Sequence, residues 1–181
     1  MSPDKKKQSA PRLWKGDVPD AICQLPQLHL SCFGCCGYDY ASEDKLKKQI
    51  ATNTWRFKKM YTSKTAFAET TIGVTEAGVC KAVIDFEDGT VGCPLHPKKN
   101  DGEDLRTGDC LRNYECNALR HYKGWKKPRR LAFLEYVARE NFNTYTYSMA
   151  NANSSLIMSF FNAEPETFAS KLKDMFSGDN V

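Results

Sequence analysis

The spacing of apolar residues along the chain predicts mainly helical structure. In residues 41–69, the apolar side chains of Leu46, Ile50, either Trp55 or Phe57, and Tyr61 recur at roughly helical spacing, with lysines between them. Ser42, near the start of this stretch, is a suitable N-cap. The same kind of pattern predicts further helices over residues 111–122, 129–141 and 163–178.

One stretch between these helices has the pattern of a β-hairpin. The sequence "EDGT" favours a tight turn, because Asp-Gly accepts the positive φ angles that such turns need. The predicted arms are Val79 to Phe86 and Thr90 to Cys93. Residues 142–161 are ambiguous, although the alternation through Tyr145 and Tyr147 favours a strand. The predicted fold class is therefore α+β, with helices around a small β-hairpin.

Length and charge indicate one folded domain behind a basic tail. The chain has 181 residues, of which 41% are hydrophobic and 27% charged, as is typical of a water-soluble domain. Residues 1–16 hold five basic residues and one acidic residue, and so account for the whole net charge of +4. We therefore predict a flexible basic tail at residues 1–20 and a single metal-binding domain at residues 21–181.

No segment has the pattern of a membrane span or an export signal. No apolar run approaches the roughly 18–20 residues that cross a bilayer, and no apolar stretch follows the N-terminal lysines. We therefore expect a cytoplasmic protein that does not bind membranes.

The cysteines carry the chemical signal, because there are eight of them and three lie within "CFGCC". In a reducing cytoplasm, clustered cysteines more often bind metal or carry out redox chemistry than form disulfides. Gly34 and Gly37 flank the adjacent pair and would give the backbone the freedom to turn both thiols toward one site. The predicted metal ligands are Cys32, Cys35, Cys36, Cys80, Cys93 and Cys110.

The ligand chemistry fits two kinds of centre. Cysteine-only ligation suits zinc and iron–sulfur clusters equally. The gap between Cys93 and His96 favours zinc, whereas the glycine-flanked loop favours a cluster. We predict a [4Fe-4S] cluster, with zinc as the alternative. Cys116 is either a further ligand or a buried apolar residue.

The loop and the downstream cysteines together resemble a known family. "CFGCCG", a distant cysteine and "CPLH" are similar to the YkgJ-like cysteine-cluster family, which has the signature CxxxCxxCC. That family is described as a putative zinc- or iron-chelating domain or an iron–sulfur protein. The resemblance implies that Cys32, Cys35 and Cys36 form the loop site, that Cys80 and Cys93 are downstream ligands, and that Cys110 can join them. Some members are linked to lysine N-methylation of flagellin, which implies a cluster-dependent modifying enzyme as one alternative.

The chain departs from the family signature just before the loop. The family usually has a cysteine a few residues before the position of Cys32, but here the nearest is Cys23, nine residues upstream. Cys23 could reach back, His29 could substitute for it, or the remaining ligand could come from downstream.

A second functional class rests on the segment "RHYKGWKKPRR", residues 120–130. Its cations could neutralise phosphates and its aromatic rings could stack on bases, which together suit nucleic acid. The alternative function is therefore a zinc-stabilised nucleic-acid-binding module. The otherwise neutral body argues against it, so we expect an unidentified protein or small molecule as the partner.

Overall fold

The structure is a computed structural model that describes residues 13–60, 63–108, 110 and 112–163, with the side chain of Met60 excepted. Within these residues the predicted α+β class is confirmed, with six α-helices and two antiparallel two-stranded sheets. The strands are β1 (Gln24–Leu25), β2 (Leu30–Ser31), β3 (Ile84–Asp85) and β4 (Val91–Gly92). The helices are α1 (Glu43–Met60), α2 (Lys64–Thr70), α3 (Asn117–Gly124), α4 (Lys127–Glu140), α5 (Thr144–Ala152) and α6 (Ser155–Ala163).

The largest apolar cluster lies among α3–α6 and the first hairpin. Tyr122, Phe133 and Phe160 are buried at its centre. Trp14 joins this cluster with only 4% of its surface exposed. The part of the predicted tail from residue 13 to residue 20 is therefore packed against the domain, whereas residues 1–12 lie outside the described part of the chain.

The long helix predicted at residues 41–69 is divided into α1 and α2. Ser63 is the N-cap of α2, because its hydroxyl accepts a hydrogen bond from the N–H of Ala66 and so starts a new helix. The predicted stripe on α1 is correct for Leu46 and Ile50, which are fully buried. Of the two alternatives that follow, Phe57 is half-buried and continues the stripe, whereas Trp55 is 57% exposed. Tyr61 lies outside the described residues.

The hairpin is confirmed, but its strands are much shorter than predicted. Ile84 pairs with Gly92 and Asp85 with Val91, and Gly89 takes a φ of 77° in the turn. The stretch from residue 79 to residue 83 does not extend this sheet. Val79 and Cys80 instead form isolated bridges to other segments of the chain.

The strand favoured at residues 142–161 is wrong, because this stretch forms α5 and α6. Asn143 caps α5: its side chain accepts from the N–H of Thr146, while the Thr146 hydroxyl accepts from the N–H of Asn143. This reciprocal cap starts a helix at the position where aromatic alternation favoured a strand.

The remaining helix predictions differ mainly in their boundaries. The helix expected at 111–122 begins later, at Asn117, because Cys116 is its N-cap. The helix expected at 129–141 begins at Lys127, with Pro128 inside its first turn. The helix predicted at 163–178 lies outside the described residues except for Ala163, the last residue of α6. No helix in the described part of the chain is long and apolar enough to cross a membrane.

Candidate metal centre

Residues 32–36 form a tight turn that we call the cysteine loop. The N–H of Cys36 donates to the carbonyl of Phe33 at 2.7 Å and closes the turn. The Phe33 ring is buried and packs edge-on against Tyr40 and Tyr145. This turn brings the Sγ atoms of Cys35 and Cys36 to 3.9 Å.

Helix α5 holds the loop through hydroxyl groups. The N–H of Ser31 donates to Thr144 Oγ1 at 3.3 Å, and the N–H of Phe33 donates to Ser148 Oγ at 3.1 Å. Thr144 and Ser148 are one helical turn apart and both are buried. The backbone of the loop is therefore fixed to one face of α5.

Ser31 connects the cysteine loop to the second hairpin. Its side chain is fully buried, and its Oγ accepts a hydrogen bond from the N–H of Val91 at 2.8 Å. Because Val91 begins β4, this bond places the start of β4, and so the approach to Cys93, beside the residue that precedes the loop.

The glycines on either side of the cysteine pair are needed because a side chain at either position would clash with a neighbouring backbone. The backbone freedom predicted from the sequence is not the reason for them. Neither has a positive φ. A Cβ at Gly34 would lie 2.7 Å from the carbonyl oxygen of Ser148, and a Cβ at Gly37 would lie 2.1 Å from that of Gly78. The absence of a side chain lets the loop approach α5 on one side and the segment before Cys80 on the other.

The fold returns Cys80 to the loop and places Cys93 nearby. The N–H of Cys80 donates to the carbonyl of Cys36 at 2.7 Å. The Asn53 side chain fixes this turn by donating to the carbonyls of Cys80 and Val83, at 3.3 and 3.1 Å. Cys93 follows β4, and both Cys80 and Cys93 pack against the same apolar cluster, around Ile84.

Cys23 lies beside Cys32 because β1 and β2 pair as a hairpin. The N–H of Cys32 donates to the carbonyl of Cys23 at 2.8 Å. His29 occupies the turn of this hairpin, where it is exposed and has a φ of 52°. Of the residues considered for the family's missing cysteine, Cys23 is thus adjacent to the loop, whereas His29 lies at the other end of the hairpin.

Several of the cysteine sulfurs accept hydrogen bonds from backbone N–H groups two or three residues later in the chain. Gly34 donates to Cys32 Sγ at 3.3 Å, and Ala82 donates to Cys80 Sγ at 3.4 Å. Leu119 donates to Cys116 Sγ at 3.4 Å at the start of α3. Such donors favour the thiolate form of cysteine, which is the form that binds metal.

Burial acts against these donors and keeps the thiols protonated when no cation is bound. It raises the pKa of Cys23 to about 11 and that of Cys93 to about 12. It also holds the pKa of Cys32 well above its ordinary value. The pKa of Cys36 is raised by its hydrogen bond with Cys35 and by burial.

Cys35 is the exception, since its pKa is lowered to about 7. The main cause is the hydrogen bond from the Cys36 thiol, and the Arg106 guanidinium adds to it. Two Arg106 nitrogens bind the two Asp104 carboxylate oxygens at 2.8 Å each. Arg106 also lowers the pKa of Cys93, against the larger effect of burial.

The structure brings some predicted ligands together and leaves their coordination open. A backbone hydrogen bond joins Cys36 and Cys80. Cys110 is exposed, and it lies close enough to Cys80 and Cys93 for its charge to raise the pKa of both thiols. All eight cysteines are free thiols. Among the described residues, no three His, Cys, Asp or Glu side chains form a group that could hold one metal ion. Ligation therefore requires side-chain rearrangement from the positions seen here.

Sequence reasoning missed the groups that support the cysteines. Thr144, Ser148 and Ser31 are ordinary polar residues whose roles depend on contacts between distant segments. One local signal was present, because Asn143 and Thr146 have the spacing of a capping box and mark the start of α5. The ion pair between Asp104 and Arg106 lies in a polar stretch whose sequence carries no signal that sets this pair apart.

No protein-family model matches this sequence, and comparisons with curated proteins and with solved structures likewise find no match. The resemblance to the cysteine-cluster family therefore stays a prediction based on the loop and its downstream cysteines.

Proposed function

We propose that this protein binds a metal centre through cysteine thiolates, with a [4Fe-4S] cluster as the preferred centre and zinc as the alternative. One contact carries the proposal: the N–H of Cys80 donates to the carbonyl of Cys36 at 2.7 Å. This bond brings a cysteine 44 positions downstream to the cysteine loop, where the sequence already predicts three ligands.

The chemistry of the donors fits a cationic centre. Buried thiols with backbone N–H donors are prepared for negative charge, but burial penalises that charge until a cation offsets it. Arg106 supplies one positive charge near Cys35 and Cys93. Iron or zinc would supply the rest and would displace the thiol protons as it binds.

A cysteine-only centre agrees better with the histidine geometry than a mixed one does. His96 Nδ1 accepts a hydrogen bond from the N–H of Lys98 at 3.1 Å, so in the neutral ring Nε2 carries the proton and neither nitrogen has a free lone pair for a metal. The pKa of His96 is lowered by burial and by Arg106, which keeps its ring neutral. His96 can therefore bind zinc only if this hydrogen bond breaks, and the cysteines remain the main donors.

The biochemical role follows from how many protein ligands the centre has. Four cysteine ligands close a centre and suit electron transfer or structural support, whereas three leave a position open for a substrate. The family resemblance alone supports the enzymatic alternative, a protein-modifying enzyme of the lysine N-methylation type. No residue of this chain is assigned as its catalyst.

The experiment is metal and sulfide analysis of the anaerobically purified chain, alongside Cys36→Ser and Cys80→Ser. We expect brown protein containing iron and acid-labile sulfide, with metal reduced by about half or more in both variants. Met158→Ser is the control, because it replaces a sulfur-bearing side chain that is 56% exposed on α6. Metal-free wild-type protein, or variants that load as well as Met158→Ser, would contradict the proposal.

Nucleic-acid binding is a second candidate, favoured by one surface feature. An open pocket of about 470 Å³ lies against the basic segment and is lined by Asn117, Arg120, His121, Gly124 and Trp125. Other parts of residues 120–130 are already used by the fold. Tyr122 is fully buried, and the Arg130 side chain donates to the carbonyls of Tyr122, Lys123 and Trp125.

Its test is a charge reversal at two exposed lysines at the start of α4. Salt-sensitive binding of single-stranded RNA or DNA that is lost in the Lys126→Glu, Lys127→Glu double variant would support this candidate. Lys58→Glu, Lys59→Glu at the end of α1 is the matched control. Equal binding by both double variants, or no binding by the wild type, would remove the candidate.

A further inference from the structure

The eight cysteines occupy two regions of the fold, and the cysteine loop runs between them. Cys32 and Cys36 begin and end the loop, yet they pack against different apolar clusters. The tight turn closed by the Phe33–Cys36 hydrogen bond lies between these two cysteines, so their side chains face different apolar clusters.

The first region is on the side of the first hairpin and α3. Cys23, Cys32 and Cys116 all pack against the large apolar cluster around Tyr122 and Phe133. The Cys23–Cys32 backbone hydrogen bond joins two of these residues at 2.8 Å. After burial, negative charge on Cys35 and Cys116 adds to the rise in the pKa of Cys23. Negative charge on Cys23, Cys35 and Cys116 likewise adds to the rise in the pKa of Cys32.

The second region is on the side of the second hairpin. Cys36 and Cys80 pack against the apolar cluster around Val79, and Cys80 and Cys93 pack against the one around Ile84. Burial is the main cause of the raised pKa values of Cys80 and Cys93. Negative charge on Cys110 raises both further, and charge on Cys80 also raises the pKa of Cys93. These contacts place Cys36, Cys80 and Cys93 on the same side of the loop with Cys110 nearby, although no three of their side chains form a metal-binding group in the positions seen here.

Cys35 lies between the two regions and is assigned by its spacing. Two residues separate it from Cys32, which is the gap that lets one short loop give two ligands to one centre. Cys36, the next residue, is fixed to the second region by its backbone bond to Cys80. The Sγ atoms of Cys35 and Cys36 are 3.9 Å apart here, so the Cys35 side chain must turn away from Cys36 for one thiol to serve each side.

Resting on the proposed function, we propose that the chain holds two metal centres with four cysteine ligands each. The first centre takes Cys23, Cys32, Cys35 and Cys116, and the second takes Cys36, Cys80, Cys93 and Cys110. Each is a closed all-cysteine set of the type that binds [4Fe-4S] clusters or structural zinc. Cys116 is then a ligand at the start of α3 and not only a small buried side chain.

The second centre differs from the first in its surroundings. The Arg106 guanidinium, which Asp104 holds in place, is close enough for its positive charge to act on Cys93 and Cys110 of the second set. Its charge also acts on Cys35 of the first set. The positive charges acting on Cys23 in the first set are those of Lys98 and Lys123. Two centres in different charged environments are expected to have different reduction potentials.

The test uses the full chain, reconstituted anaerobically with ferrous iron and sulfide and, in parallel, with Zn²⁺ alone. We expect about eight iron and eight sulfide per wild-type chain, or about two zinc. The Cys23→Ser, Cys116→Ser variant and the Cys80→Ser, Cys93→Ser variant should each retain half of that metal. Low-temperature electron paramagnetic resonance of the reduced protein should show a different remaining signal in each variant.

The outcomes separate this inference from the proposed function. If wild type binds one centre per chain, and the Cys23→Ser, Cys116→Ser variant keeps all of it, the two-centre assignment is wrong while metal binding stands. If wild type binds no metal, both fail. The wild-type stoichiometry decides the number of centres even where a double variant does not fold.

Discussion

Ser31 is a single buried hydroxyl on which the contact between the cysteine loop and the second hairpin depends. In Ser31→Ala the N–H of Val91 loses its acceptor and stays buried, which costs about 1–3 kcal/mol of unfolding free energy. Urea unfolding measures this loss. Ser155→Ala, at an exposed position on α6, is the control and should change stability by less than about 0.5 kcal/mol. Equal stability of the two variants would contradict the assigned role of Ser31.

Asp104 is a second residue with a measurable effect, through its ion pair with Arg106. Arg106 lowers the pKa of Asp104 to about 2, below the ordinary value of 3.8. The pair therefore stabilises the fold fully above about pH 4, and that stabilisation is lost as the pH falls toward 2. We expect Asp104→Asn to lose up to about 1 kcal/mol at pH 7, and the difference from wild type to shrink below pH 4.

Denaturant unfolding between pH 7 and pH 3 tests this dependence. Asp101→Asn is the matched control, because Asp101 is exposed in the same loop and asparagine also accepts its φ of 51°. A difference between Asp104→Asn and wild type that does not change with pH would contradict the ion-pair account.

At the scale of elements, the close approach of the cysteine loop to α5 is the critical contact. In Gly34→Ala the new methyl group would lie 2.7 Å from the backbone oxygen of Ser148, so the loop and helix must separate. We expect stability to fall by about 1–3 kcal/mol and metal loading to fall several-fold. Gly124→Ala is the control, since nothing lies within 4 Å of its added Cβ. Normal loading and stability in Gly34→Ala would show that this contact does not position the loop.

The elements also show what the sequence could and could not predict. Local signals predicted the turn at Gly89 and the stripe of α1 through Leu46 and Ile50 correctly. Alternating aromatics in residues 142–161 gave the wrong class, because the cap at Asn143 and packing against the first hairpin determine a helix. For the site, the sequence singled out the cysteines. The hydroxyls of Thr144 and Ser148 were missed, since their partners lie more than 100 positions away.

At the scale of the whole molecule, a bound metal would cross-link segments that are distant in sequence. Cys36 and Cys80, like Cys23 and Cys116, are far apart in sequence, and in the described part of the chain the sheets have only two short strands each. Metal binding should therefore contribute directly to folding stability. We expect anaerobic removal of the metal to lower the free energy of unfolding by about 3 kcal/mol or more, which corresponds to roughly 6–12 °C in Tm.

Differential scanning calorimetry of loaded, stripped and reloaded protein measures this change. Reloading should restore the Tm of the starting protein. A stripped protein with an unchanged Tm would indicate that the metal, where bound, does not support the fold.

The most direct measurement is quantitation of iron, acid-labile sulfide and zinc in the full chain purified without exposure to air. The account predicts tightly bound metal in whole-number ratio to protein, with iron and sulfide in equal amounts, and cysteines shielded from thiol reagents until the metal is removed. A folded chain that contains no metal and reacts at all eight thiols would contradict it.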